Sequence, residues 1–166
     1  GAEVLEGNQI RLTMTRPKDW ALHQHLDLQG GPLDYHFVNS GVPHVVVETD
    51  ELESVDLLPL GSGVRYHAAF QPNGTNVNVI QVTGPDSLSV RTYERGVENE
   101  TLACGTGIVA SGLVAGTLGR VERPVRITSA SGDVLQVDFE GAGEDAQNVT
   151  LTGPAEHVFK GEIPLP

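Results

Sequence analysis

Residue types able to do chemistry gather in the run Tyr93-Glu-Arg-Gly-Val-Glu-Asn-Glu-Thr-Leu-Ala-Cys104-Gly-Thr-Gly107. It holds the only cysteine of the chain, Cys104, preceded by the Glu94-Arg95 pair and followed at once by Gly105, Thr106 and Gly107. Ile108 to Leu118 then continue without a charge, so a helix is predicted to open just after the cysteine. The first amides of a helix have no intrahelical partners, and the macrodipole places partial positive charge there. Gly105, Thr106 and Gly107 leave little side chain over those amides, so a carboxylate or phosphate can dock on them. A cysteine at such a helix start is drawn toward its thiolate form. Thiolate and anion site as neighbours suit removal of a proton α to a carboxylate. The bland alternative is an inert buried thiol. The glycine-rich helix start and the charged pair upstream weigh against it.

The elements that position this run follow from periodicity. Ile108, Val109, Leu113, Val114 and Leu118 cover every side of the predicted helix Gly105–Leu118, and a helix apolar all round must be buried all round. It is too short to cross a bilayer, which takes about 20 apolar residues. Its interior glycines each cost about 1 kcal/mol relative to alanine, which predicts close approach of neighbouring backbone. Alternation or β-rich composition predicts strands at 9–15, 35–38, 44–48, 64–70, 76–82, 87–94, 125–128, 134–139, 149–152 and 156–163. Residues 1–8 have no clear period, and Trp20 to Asp27 admit no single reading. Thr49–Leu60 is acidic and fits a short helix or irregular crossing, ended by Gly61-Ser62-Gly63. The expected class is α+β: mostly antiparallel strands wrapped as a barrel-like jacket around one central buried helix.

Composition narrows the function classes. A chain of 166 residues is expected to form one domain. With aromatic residues at 5%, Val, Leu, Ile and Ala must fill the core. A net charge of -12 argues against nucleic-acid and anionic-membrane partners. One cysteine excludes an internal disulfide and gives no metal-ligand spacing, and a cytoplasmic setting fits.

Tyr93-Glu94-Arg95-Gly96 followed by Glu100-Thr101-Leu102-Ala103-Cys104-Gly105-Thr106-Gly107 resembles the signature of the diaminopimelate epimerase family. Gly41-Val42-Pro43-His44 and Gly74-Thr75-Asn76-Val77-Asn78 agree with it, and the resemblance runs from about Ile10 onward in family order. It implies a cofactor-independent enzyme that interconverts LL- and meso-diaminopimelate in lysine and peptidoglycan precursor synthesis. Such an enzyme has two similar domains, each with one catalytic cysteine at its helix start, and this chain resembles the second. The implied layout is residues 1–9 as the trailing end of the N-terminal domain, 10–154 as the C-terminal domain and 155–166 as a tail strand pairing with the N-terminal domain. The chain by itself is then expected to be inactive.

The resemblance also assigns roles. Cys104 is one of two thiol bases, Glu94 lies near the thiol and contacts proton or substrate amine, and His44 stands beside the cysteine of the other domain. Arg95 and Asn76 address the distal carboxylate of the substrate, while Gly105 and Thr106 offer amides to the reacting carboxylate. Two departures stand out. Val42 occupies a position where the family often has asparagine, with Asn39 the candidate replacement, and the Glu94-to-Cys104 spacing is one residue longer than is common. Expected partners are diaminopimelate and the N-terminal domain, with a homodimer left open. The competing readings are a related racemase or isomerase of the same fold, and a non-catalytic carboxylate-binding domain. Arg95 and Asn76 argue for a substrate with a polar, acidic distal end, against proline.

Overall fold

The computed structural model describes residues 1–156 and 159–163. Eleven strands among these residues form one sheet: β1 (Ala2–Val4), β2 (Gln9–Thr13), β3 (Lys18–Leu28), β4 (Gly31–Asn39), β5 (Pro43–Glu48), β6 (Asn76–Gly84), β7 (Ser87–Glu94), β8 (Asn99–Thr101), β9 (Val125–Thr128), β10 (Val134–Glu140) and β11 (Gln147–Pro154). Their order is β1-β2-β11-β10-β9-β7-β6-β5-β4-β3, with β8 paired to β7 off this path. All pairings are antiparallel except β5 with β6 and β7 with β9.

Each parallel pair needs a crossover, and each crossover carries one helix. Helix α1 (Leu57–Arg65) lies between β5 and β6, and helix α2 (Gly105–Thr117) between β7 and β9. Strands β5 and β7 run in opposite directions while both crossovers step the same way along the sheet. The right-handed rule for such units therefore sends the two helices to opposite faces. The packing agrees: Val45, Val47, Val77 and Val79 join Leu57 and Val64 of α1 in one core, whereas Val46 and Ile80 join α2 in the other.

Residues Gly107 to Ala115 of α2 are buried, as its all-round apolar surface requires, and strands β4, β5, β6, β7, β9 and β10 contact it. This is the jacketed central helix expected from the sequence. The interior glycines are explained differently from expectation. A Cβ on Gly112 would fall 2.9 Å from Cβ of Val137 and 3.1 Å from Cδ1 of Ile127, so side chains from the strands, rather than backbone, fill the gap. No helix among the described residues is long and apolar enough to cross a membrane.

Several local expectations are corrected. Residues 64–70 are not a strand: Val64 is buried within α1, and Ala68–Phe70 form a 3-10 turn. Gly61 does not end α1 but sits inside it, and the Tyr93 ring packs in the space that a Cβ there would need. Residues 2–4 pair with β2 despite their lack of period. Trp20–Asp27 belongs to β3, whose alternation is broken by two register shifts with Asp19 and His23 at positive φ. Of the expected tail strand, residues 159–163 are in no strand, while His157 and Val158 lie outside the described residues.

Candidate active site

Cys104 is the N-cap of α2 in extended conformation (φ -130°), and its carbonyl accepts the Ile108 amide at 2.8 Å. No side chain caps the helix, and the amides of Gly105, Thr106 and Gly107 have no acceptor among the described residues. The start of α2 therefore offers three free donors at the positive end of a dipole. Cys104 is half-buried beside them and Gly105 is exposed. Strand β8 delivers the chain to this point, and the Ser131 amide, in the β9–β10 turn, donates to the Leu102 carbonyl at 3.0 Å. Leu102 is 71% exposed, and Ala103 and Gly105 are exposed with it, so the site sits on an open rim. A groove of about 810 Å³ between the β3–β4 turn and α1 lies elsewhere, and none of these residues lines it.

Thr106 is the hub of the site. Its hydroxyl lies 2.9 Å from Nε2 of His44 and 3.6 Å from Sγ of Cys104, and its carbonyl accepts the Ser40 hydroxyl at 2.8 Å. The loop before β5 is thereby docked on the helix start, through Ser40, which is buried. Asn39 stands at the entrance of that loop, where its Oδ1 accepts the Gly41 amide at 3.1 Å and its Nδ2 donates to Asp19 at 3.2 Å.

Alternation along the strands decides what lies beneath. Asn78 is aligned with Val46 on β5 and Thr92 on β7, and His44 precedes Val46 by two residues, so His44, Asn78 and Thr92 share the face that α2 covers. All three are buried. Burial, and secondarily the charge of Arg95, push the His44 imidazole down to about 3, so it is neutral.

Asn76 is also buried and joins two parts of the site. Its Nδ2 donates to the Pro43 carbonyl at 3.1 Å, and its Oδ1 accepts the Arg95 amide at 2.8 Å. The Arg95 guanidinium donates to the Asn73 carbonyl at 2.7 Å. Glu94, at the end of β7, is half-buried. The turn that follows is braced by Glu98, which accepts from Arg65 at 3.2 Å, the Gly96 amide at 3.0 Å and the Tyr93 hydroxyl at 3.0 Å. The longer Glu94-to-Cys104 spacing is thus an anchored turn.

Thr106 joins Cys104 and His44, with Asn76 and Arg95 beside them; His44, expected beside the cysteine of the other domain, is instead fully buried against Thr106 of this one. Sequence reasoning missed Ser40, Asn78 and Thr92. The available signal was polar Asn76 and Asn78 alternating with Val77 and Val79, which looks like a solvated strand face until both faces prove to be covered. Among the described residues no group of three or more His, Cys, Asp or Glu is placed to hold a metal ion.

The fold is one found in amino-acid racemases and epimerases. A hydroxyproline epimerase from Agrobacterium vitis, solved with trans-4-hydroxy-L-proline, matches at TM-score 0.73, covering 92% of this chain and 52% of that one at 19% identity. A phenazine biosynthesis protein of the PhzF family from Bacillus anthracis matches at TM-score 0.59 over 99% of this chain and 64% of that one, at 13% identity. At such identities the likeness is one of fold alone.

Sequence relatives are more specific. The diaminopimelate epimerase of Aquifex aeolicus is 43% identical over 98% of this chain and 57% of its own length, and that of Chlorobaculum tepidum 42% over 99% and 62%. The family model described as diaminopimelate epimerase matches residues 36–158, and the chain belongs to that family. It spans a little over half the length of these curated relatives.

Proposed function

We propose that this chain supplies one wall of the active site of an epimerase that interconverts LL- and meso-diaminopimelate without a cofactor, with Cys104 as one of two thiol bases. The observation that carries the reading is the half-buried thiol of Cys104 beside three unpartnered helix-start amides on an open rim. The reacting carboxylate docks on the amides of Gly105, Thr106 and Gly107, which stabilise the charge that grows on it as the α-proton leaves. One thiolate takes that proton while a thiol on the opposite face of the carbon returns one, so the centre inverts with no net proton change. A single side chain cannot reach both faces of a held carbon, which is why a second thiol, from the domain that fills the remaining length of the relatives, is required.

The other residues divide between grip and support. Arg95 presents a planar fork suited to the distal carboxylate, and Asn76 fixes the backbone from which that fork extends. Asn39 stands where the loop meets the rim, available to the substrate in place of the asparagine that Val42 lacks. Glu94 exchanges the thiol proton or meets the substrate amine, and His44 lies under the site. In this reading residues 10–154 form the C-terminal domain, 1–9 and 155–166 belong to the junction with the N-terminal domain, and the setting is the reducing cytoplasm, where a lone thiol survives.

The experiment combines this chain with the N-terminal domain of a close relative and supplies LL-diaminopimelate in heavy water. The meso isomer carrying one α-deuterium is expected from the pair, and neither inversion nor exchange from the chain alone. An inactive but associated pair, or inversion by the chain alone, overturns the proposal.

A further inference from the structure

A line of four side chains runs from the middle of the sheet to the thiol. The Thr92 hydroxyl donates to Oδ1 of Asn78 at 3.0 Å. Nδ2 of Asn78 lies 2.9 Å from Nδ1 of His44 and 3.1 Å from the carbonyl of Val45. Nε2 of His44 reaches the Thr106 hydroxyl at 2.9 Å, and that hydroxyl stands 3.6 Å from Sγ of Cys104. His44 and Asn78 are 0% exposed and Thr92 3%, although their neighbours on the same face are valine, isoleucine and leucine. Apolar residues would fill this space at lower desolvation cost. Helix α2 also makes room for the line: a Cβ on Gly107 would fall 2.4 Å from Oδ1 of Asn78 and 3.3 Å from Cε1 of His44.

The hydrogen bonds have one direction, set at Val45. A carbonyl only accepts, so the Asn78 atom facing it is the amide nitrogen, and the same nitrogen faces His44. Nδ1 of His44 therefore accepts, and its single ring hydrogen sits on Nε2 and is donated to Thr106. The Thr106 oxygen therefore accepts from His44 and does not donate to it, so its own hydrogen is free for the sulfur of Cys104.

We infer that Thr92, Asn78 and His44 are positioning residues that hold the Thr106 hydroxyl as a fixed donor to Cys104, favouring the thiolate. No proton moves along the line. On this side of the site His44 orients a donor and is not the base that relieves Cys104 of its proton. The inference rests on the reading of Cys104 as a thiol base, and extends it to how the thiolate is held.

The test uses this chain, in which alkylation reports on Cys104 alone because there is no other cysteine. The rate of modification by iodoacetamide is followed against pH by mass spectrometry. Thr106→Val is expected to move the midpoint upward by about one pH unit, as loss of a hydrogen bond to a charged acceptor implies. Thr106→Ser is expected to keep the parental midpoint, and Thr92→Val to give a smaller upward shift. A Thr106→Val midpoint equal to the parent, or the same shift in valine and serine variants, overturns the inference. Nitrogen-15 spectra of the unaltered chain supply a second check: His44 is expected as the neutral Nε2–H tautomer, and an Nδ1–H tautomer reverses the line and overturns it. Neither measurement involves substrate. A parental midpoint in Thr106→Val with an active two-domain enzyme therefore sinks only the line, and a shifted midpoint with an inactive pair sinks only the epimerase.

Discussion

The buried stretch of α2, Gly107 to Ala115, is built in opposite ways toward its two ends. From Val109 to Ala115 the helix is packed in an apolar cluster, with Val137 and Ile127 filling the space at Gly112. Around Gly107 it meets His44 and Asn78, two polar side chains with no exposure, joined through Thr106 to the thiol. The first end is what a stable core asks for. The second carries a desolvation cost that an apolar filling would avoid, and the only exposed beneficiary is the helix start with Cys104. Within one element, an apolar turn and a polar, hydrogen-bonded turn stand side by side.

The apolar end is the one less able to accept a charge. Val114→Asp puts an unpaired charge at a position with 0% exposure, and no folded chain is expected. A soluble variant with an unchanged thermal midpoint would show that this turn is not jacketed. At the other end the largest effect falls on activity. In the two-domain protein Cys104→Ala is expected to abolish epimerisation while shifting stability by no more than about 0.5 kcal/mol, because the side chain is half-exposed. Retained turnover removes Cys104 from the chemistry.

A matched pair of substitutions sharpens the contrast. Gly112→Ala and Gly107→Ala each insert one methyl into a filled space, and each should cost about 1–3 kcal/mol by overpacking, partly offset by better helix propensity. Only Gly107→Ala displaces Asn78, so only that variant should alter the pH profile of Cys104 alkylation. Equal profiles in the two variants would erase the functional difference between the ends.

The smallest effect is a pH dependence located at the polar end. The unfolded His44 binds a proton below about 6.5, whereas the buried ring, held near 3, does not. Stability is therefore full above pH 6.5 and falls as the pH is lowered toward 3, by about 2 kcal/mol at pH 5. Burial also lowers His36, against the pull of Glu48, and adds in the same sense. Urea midpoints at pH 7.5 and 5 should drop in the parent and drop less in His44→Gln. Equal losses in both would place the effect elsewhere.

Much of this was legible in the sequence. Uncharged, all-round apolar residues from Gly105 onward were enough to predict a central buried helix, and the glycines around Thr106 were enough to predict an open helix start beside Cys104. Alternation, β-rich composition or a flanking hairpin turn located β2, β5, β7, β9 and β10 to within two residues. The failures are local patterns overruled by packing. Trp20–Asp27 hid a strand because two bulges break its period, and residues 64–70 looked extended because Val64 and Phe70 suit either a strand or the packed end of a helix.

What the sequence by itself determined is local: which segments are helix or strand, where the helix opens, and which thiol stands there. What only the tertiary structure decided is which face each strand residue occupies and what it meets. His44, Asn78, Thr92 and Thr106 are separated by 14 to 62 residues along the chain at each link of their hydrogen-bonded line. Side chains alternate with a period of two, so a change of register by one residue at β6 would send Asn78 to the opposite face and bring Val77 or Val79 beneath the helix. That register depends on the summed packing of both helices against the two sides of the sheet, and no short stretch of sequence contains it.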